Sequence, residues 1–285
     1  MTRGAALALM VAAPVLWSSA GVVTRHIERA EAIEQVLWRS FFAFAFVCVF
    51  LAATGKNPVK AARAAGLPGL FSGTLWAVMF TAFVIALSLT TTANTLVVMS
   101  IAPLLTVVCA RIVLTDPIPL RTWLASLAAM AGIAVMFGSS FDNAKHVGGM
   151  LVALVIPVAS ALNVVALRKH SATVDLIPAV MLGGALSALV ALPFALPISA
   201  SGKDLALLAF LGVFQLGLPC MFLVMASRAL LAPEIALLGL LEVVLGPLWA
   251  WLGAGETPAT STLTGGALVL AALAGNEVAA LSSRA

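Results

Sequence analysis

The chain has 285 residues, 62% of them hydrophobic and 9% charged, with a mean hydropathy of +1.15 and a formal charge of +4. Soluble domains carry about a quarter charged residues, so a chain this poor in charge cannot cover a water-facing surface. The net positive charge does not indicate nucleic acid, because basic residues of a membrane protein gather on its loops.

Lipid is the natural solvent for such a sequence. About 20 consecutive apolar residues cross the hydrocarbon core, and the backbone there must satisfy its own hydrogen bonds. The apolar runs are continuous rather than alternating, which excludes a transmembrane barrel. Broken at its charges and turn residues, the chain predicts an all-α integral membrane protein of ten transmembrane helices. They are Ala5–Val23, Val36–Ala53, Leu67–Leu89, Ala93–Ala110, Trp123–Ser139, Val147–Leu167, Leu176–Ser201, Leu205–Ser227, Ile235–Gly255 and Thr257–Asn276. The first span has the basic start and apolar centre of a signal peptide. It takes part in the repeat described next, so it is read as an uncleaved span.

The chain resembles itself at a spacing near 140. Asp116 in "LTDPIPLRTW" and Glu256 in "GAGETPATST" are 140 residues apart; Pro14 and Pro157 are 143 apart, and Pro103 and Pro247 are 144 apart. Small residues recur at four-residue spacing, Ala128 and Gly132 in span five and Ala267, Ala271 and Gly275 in span ten. That spacing lets helices approach closely, inside one chain or between two copies. Two halves of five helices follow, 1–141 and 142–285. Five is odd, so the second half enters the membrane inverted. Inverted repeats are a recurring plan of secondary transporters. Helix-interior prolines remove a backbone hydrogen bond and kink the helix, so Pro14, Pro103, Pro157 and Pro247 are expected to frame a central cavity.

Ten spans put both termini on one side. That side carries Arg3, Lys56, Lys60, Arg63, Arg111, Arg121, Arg168, Lys169, Arg228 and Arg284, against Arg25, Arg29, Arg39, Lys145 and Lys203 on the other. The excess predicts cytoplasmic termini.

Glu242 stands inside "LGLLEVVLGPLWAWLGAGE". A charge at mid-helix costs about 2.5–3.5 kcal/mol on insertion scales, so it faces protein or a cavity. Gly239 and Gly246 share its face, which fits a polar clamp to a neighbouring helix. A protonation site coupled to transport is the competing reading. Trp17 and Trp76 lie deep in their spans, and a buried indole N–H needs a partner. Trp38, Trp123, Trp249 and Trp251 lie toward span ends as interfacial anchors. Met79, Phe80 and Met99 suit either helix packing or an apolar cavity wall. Ser18, Ser100, Asn163 and Gln215 are polar groups at depth that bond a solute or a neighbouring helix. Arg39, one turn into span two, can snorkel to the outer interface or attract a carboxylate.

"LEVVLGPLWAWLGAGETP", with Glu242, Pro247, Trp249, Trp251 and Glu256, resembles the drug/metabolite transporter superfamily in its ten-helix EamA-type branch. "MSIAPLLTVVCARIVLTDPIP" is a looser match that keeps Pro103 and has Asp116 where the family usually has Glu. "WSSAGVVTR" and "LWRSFFAF" look like the family's first two helices, and the whole pattern is most similar to its YddG-type aromatic amino acid exporters. The resemblance implies export of small metabolites across a bacterial inner membrane by two inverted repeats, with no cofactor.

Few charges, an apolar wall and scattered amides suit a small amphiphilic solute such as a neutral or aromatic amino acid; an organic cation paired with Glu242 is the alternative. Clustered Lys or Arg at depth, as a phosphate substrate needs, are missing. An intramembrane enzyme would need a nucleophile–base pair or metal ligands, yet no HExxH, GxSxG or P-loop occurs. Cys48, Cys109 and Cys220 lie singly in apolar runs, which points to neither metal nor disulfide. The expected partners are a small-molecule substrate and the bilayer, with monomer and homodimer equally compatible.

Overall fold

The computed structural model describes residues 1–90, 92–114, 118–137, 147–254 and 259–282. All secondary structure among these residues is helical. Nine helices are long and apolar enough to cross a bilayer, and Leu120–Met136 is a shorter apolar one. Asp116, Lys145, His146, Glu256 and Arg284 lie outside the described residues.

The ten helices are α1 (Arg3–Trp17, continuing as Ala20–Val23), α2 (Ala32–Ala53), α3 (Pro58–Leu89), α4 (Thr92–Met99 and Ala102–Val113) and α5 (Leu120–Phe137). The second five are α6 (Val147–His170), α7 (Ile177–Ala191), α8 (Gly202–Phe210 through Leu218–Ala226), α9 (Ala232–Gly239 and Leu241–Ala254) and α10 (Thr260–Ser282). Gly66, at φ 57°, breaks α3, so residues 58–65 precede the span itself.

Polar contacts sort the connections onto two faces. On one, Arg3 meets Glu234 and Glu277, and Asp175 meets Lys56 and Arg228. On the other, the Asp204 carboxylate accepts the backbone N–H groups of Glu28 and Arg29 at 2.9 and 3.1 Å. Glu34 there accepts from Ser199 and Ala200. The first face holds both termini, as ten crossings require.

The packing has a pattern under exchange of each helix for the one five places on. α1 packs on α8 as α6 packs on α3, α2 on α8 as α7 on α3, and α1 on α9 as α6 on α4. α2 packs on α7, and α5 on α10. Helices in lipid associate through close backbone approach rather than apolar burial. Gly183 of α7 provides it against α3, where an added Cβ would lie 2.5 Å from the Trp76 Cβ. Gly132 of α5 does the same against α10, where a Cβ would lie 2.8 Å from the Gly265 carbonyl. The small-residue face expected for α10 is not the packed one. Ala267, Ala271 and Gly275 are exposed, and Gly265, Val269, Leu273 and Asn276 are buried instead.

Within their spans, α1, α4 and α9 are interrupted among the described residues. α1 breaks after Trp17, where the Ser18 and Ser19 hydroxyls donate back to the carbonyls of Val15 and Leu16. α4 breaks at Ser100, whose hydroxyl donates to the Val97 carbonyl at 2.6 Å, just before Pro103. α9 breaks at Leu240, seven residues before Pro247, which lies inside the second piece. α6 runs through Pro157 without a break. The interruptions at Ser100 and Leu240 are 140 residues apart, the spacing of the repeat. In α8, Leu211–Gly217 is a π-helical segment. Pro219 has no N–H to offer the Gln215 carbonyl four residues back, which favours this rewinding.

Candidate functional site

A cavity of about 750 Å³ lies between the two halves. Its wall reaches exposed Arg25, Ser88 and Ala259 at the ends of α1 and α3 and before α10, all on the face away from the termini. Toward the termini it ends near Met10, Asn163 and Ile235, below the Arg3–Glu234–Glu277 ion pairs. The cavity therefore opens on one face and is closed on the other.

Among the residues singled out in the sequence, α1 brings Trp17 and Ser18 to this wall, and α3 brings Trp76, Met79 and Phe80. Met99, Asn163 and Gln215 come from α4, α6 and α8, and Pro157, Glu242 and Pro247 from α6 and α9. Ser100 is buried at the α4 break and is not part of the wall, and neither are Pro14 and Pro103.

The wall is apolar with a few oriented polar groups. Trp76 stacks on Phe80 with ring centroids 5.6 Å apart. The Ser72 hydroxyl donates to Asn163 Oδ1 at 2.6 Å, fixing that amide from α3. The Trp76 indole N–H and Asn163 Nδ2 are both buried and have no partner among the described residues.

Glu242 enters the first turn of the second α9 piece, where a helix N-terminus favours negative charge. Nothing lies within 4 Å of a Cβ built on Gly239 or Gly246. The glycines beside Glu242 therefore front the cavity, not a second backbone. No hydrogen bond or ion pair to its carboxylate occurs among the described residues.

Two residues have other places than the sequence suggested. Arg39 does not snorkel: it is 2% exposed and lines the cavity. It donates to the Phe80 carbonyl at 3.0 Å and to Gln215 Oε1 at 3.4 Å, and its guanidinium lies 5.8 Å from the Phe83 ring centre. Trp249 is no interfacial anchor. Its indole N–H donates to Ser18 Oγ at 2.8 Å, joining α9 to the break in α1.

No group of three or more His, Cys, Asp or Glu suited to a metal occurs among the described residues. The three cysteines are free.

Residues 4–138 match the sequence model of the EamA-like transporter family. The match covers almost all of the first five helices. No curated protein matches the chain. A crystal structure, titled only as that of a protein, superimposes with a TM-score of 0.82 at 21% identity, covering 100% of this chain and 99% of the other. The shared fold extends over all ten helices.

Proposed function

We infer that the chain is a secondary transporter of the drug/metabolite superfamily, exporting small amphiphilic metabolites, foremost neutral and aromatic amino acids. The observation that carries this reading is the cavity itself. A volume of about 750 Å³ is within the range of small-molecule sites, and its apolar wall bears few polar groups. The EamA match over residues 4–138 supports transport. Residues 1–141 and 142–285 act as inverted repeats, and the symmetric helix pairing with breaks 140 residues apart supports that division. Exchanging the conformations of the two halves would close the present mouth and open the face bearing the termini. The basic residues of that face favour the cytoplasm of a bacterial inner membrane.

Counterflow in proteoliposomes tests the reading. Vesicles loaded with unlabelled amino acid are expected to take up labelled phenylalanine and tryptophan faster than threonine or a lipophilic cation. Preference for the cation would replace the amino acid by a drug-like solute, with Glu242 as its counter-charge.

A further inference from the structure

The cavity holds two opposite charges that do not meet each other. Arg39 stands on α2 and Glu242 on α9, and each lines the same space. Cys220, buried on α8, lines the same space. Arg39 is held by a carbonyl, an amide oxygen and the Phe83 ring, and no carboxylate pairs with it among the described residues. Its Nε keeps a buried N–H without a partner among the described residues, as does Trp76 Nε1. Trp76 lies one helical turn from Phe80, whose carbonyl holds Arg39. No ion pair to Glu242 occurs among the described residues. Arg39 is buried and Glu242 half-buried, and a charge so placed without a counter-ion is costly. Two such charges of opposite sign facing one cavity mark the places where a ligand's own charges would go.

We propose that this cavity binds its solute as a zwitterion, with Arg39 and the Trp76 indole N–H taking the carboxylate, Glu242 taking the ammonium group, and the apolar wall taking the side chain. The proposal rests on the transport reading above and narrows its substrate to free α-amino acids. An organic cation would use Glu242 and leave Arg39 facing it, so the two-ended site excludes lone amines as preferred solutes. Gln215 and Phe80 serve to hold the guanidinium toward the cavity.

The test is competition against counterflow of labelled phenylalanine into proteoliposomes carrying the full chain. The competitors are phenylalanine, phenylethylamine, 3-phenylpropionate and phenylalanine methyl ester. Phenylalanine is expected to compete at least about tenfold better than the other three, the ratio set by one charge-assisted hydrogen bond. Glu242→Gln should erase its advantage over 3-phenylpropionate, and Arg39→Gln its advantage over phenylethylamine. Should Arg39→Gln fail to fold, the wild-type series and Glu242→Gln decide alone. Phenylethylamine competing as well as phenylalanine in the wild type would overturn the two-ended site and leave transport standing. Absence of counterflow with phenylalanine, tryptophan and threonine alike would overturn the amino acid reading beneath it.

Discussion

Arg3 grips Glu234 through two hydrogen bonds, Nη1 to Oε2 at 2.8 Å and Nη2 to Oε1 at 3.1 Å, tying the first turn of α1 to the first turn of α9. The same Nη2 meets Glu277 of α10 at 2.8 Å, and Glu234 also accepts the Leu231 backbone N–H. Forked arginine–carboxylate pairs are among the strong polar contacts. This one lies on the face where the cavity has no mouth, so it holds that face shut. Arg3→Gln would leave Glu234 without its forked partner and Glu277 with only Arg121 nearby among the described cations. The expected loss is about 1–3 kcal/mol, below that of a fully buried pair because Arg3 is partly exposed. Thermal unfolding in detergent measures it, and an unchanged Tm would remove the latch role.

Trp76 separates packing from binding in a single atom. Its Cβ packs at the crossing of α3 and α7 against Gly183 and its ring stacks on Phe80, while its N–H has no partner among the described residues. Trp76→Phe keeps an aromatic ring and should cost under about 1.5 kcal/mol of stability. Half-saturation for phenylalanine exchange should rise by roughly tenfold, the value of one hydrogen bond to a charged group. Unaltered exchange would assign Trp76 to packing alone.

The glycines of α5 and α10 are not equivalent. A Cβ at Gly132 would meet the Gly265 carbonyl and the Val269 side chain within 3 Å, whereas one at Gly275 meets nothing within 4 Å. Gly132→Ala is expected to destabilise by about 1–3 kcal/mol through overpacking. Gly275→Ala should be neutral or stabilising by up to about 1 kcal/mol through helix propensity. Paired unfolding curves of the two variants check the contrast, and equal losses would contradict this packing.

Asp175, in the connection from α6 to α7, meets Lys56 at 2.7 Å and Arg228 at 3.1 Å. Partial burial pushes its carboxyl up, but the Lys56 hydrogen bond, the Ile177 amide and the two cations together hold it below the ordinary carboxylate range. A carboxyl depressed in the folded state stabilises above its unfolded pKa, and the effect is lost as pH falls through the folded pKa. Asp175→Asn should therefore cost about 1 kcal/mol or less at neutral pH, and nothing in acid. A difference from the parent that stays constant with pH would contradict the assignment.

Ten spans were legible because lipid leaves the sequence few choices: each run of apolar residues ends at charges or turns, and most helices end close to them. α7 instead stops at Ala191, ten residues before the expected Ser201, because the apolar run continues through a 3₁₀ turn and the Pro197 loop. Cavity depth was legible for Trp17, Trp76, Asn163 and Gln215, since polar or amphipathic groups at mid-helix need somewhere to point. Arg39 was ambiguous because a basic residue one turn into a span can reach water along its own stem. Nothing local reveals that α8 and the Phe80 carbonyl enclose it. Which face of α10 packs inside the chain was hidden for a similar reason. Ala267, Ala271 and Gly275 share the four-residue spacing with a neighbouring set headed by Gly265, and only the partner helix selects between the two sets. The break in α9 at Leu240 lies where no proline stands, so proline spacing pointed seven residues too far along.

The central claim is one cavity that opens to either face in turn, and accessibility of Ser160, on its α6 wall, tests it most directly. Ser160→Cys, with Cys48, Cys109 and Cys220 changed to Ala, would be treated with a membrane-impermeant thiol reagent in vesicles of known orientation. Labelling is expected from the mouth face at rest. It should appear from the face bearing the termini when saturating phenylalanine is present, and also when Arg3→Gln is added. Labelling confined to one face under all three conditions would contradict alternating access.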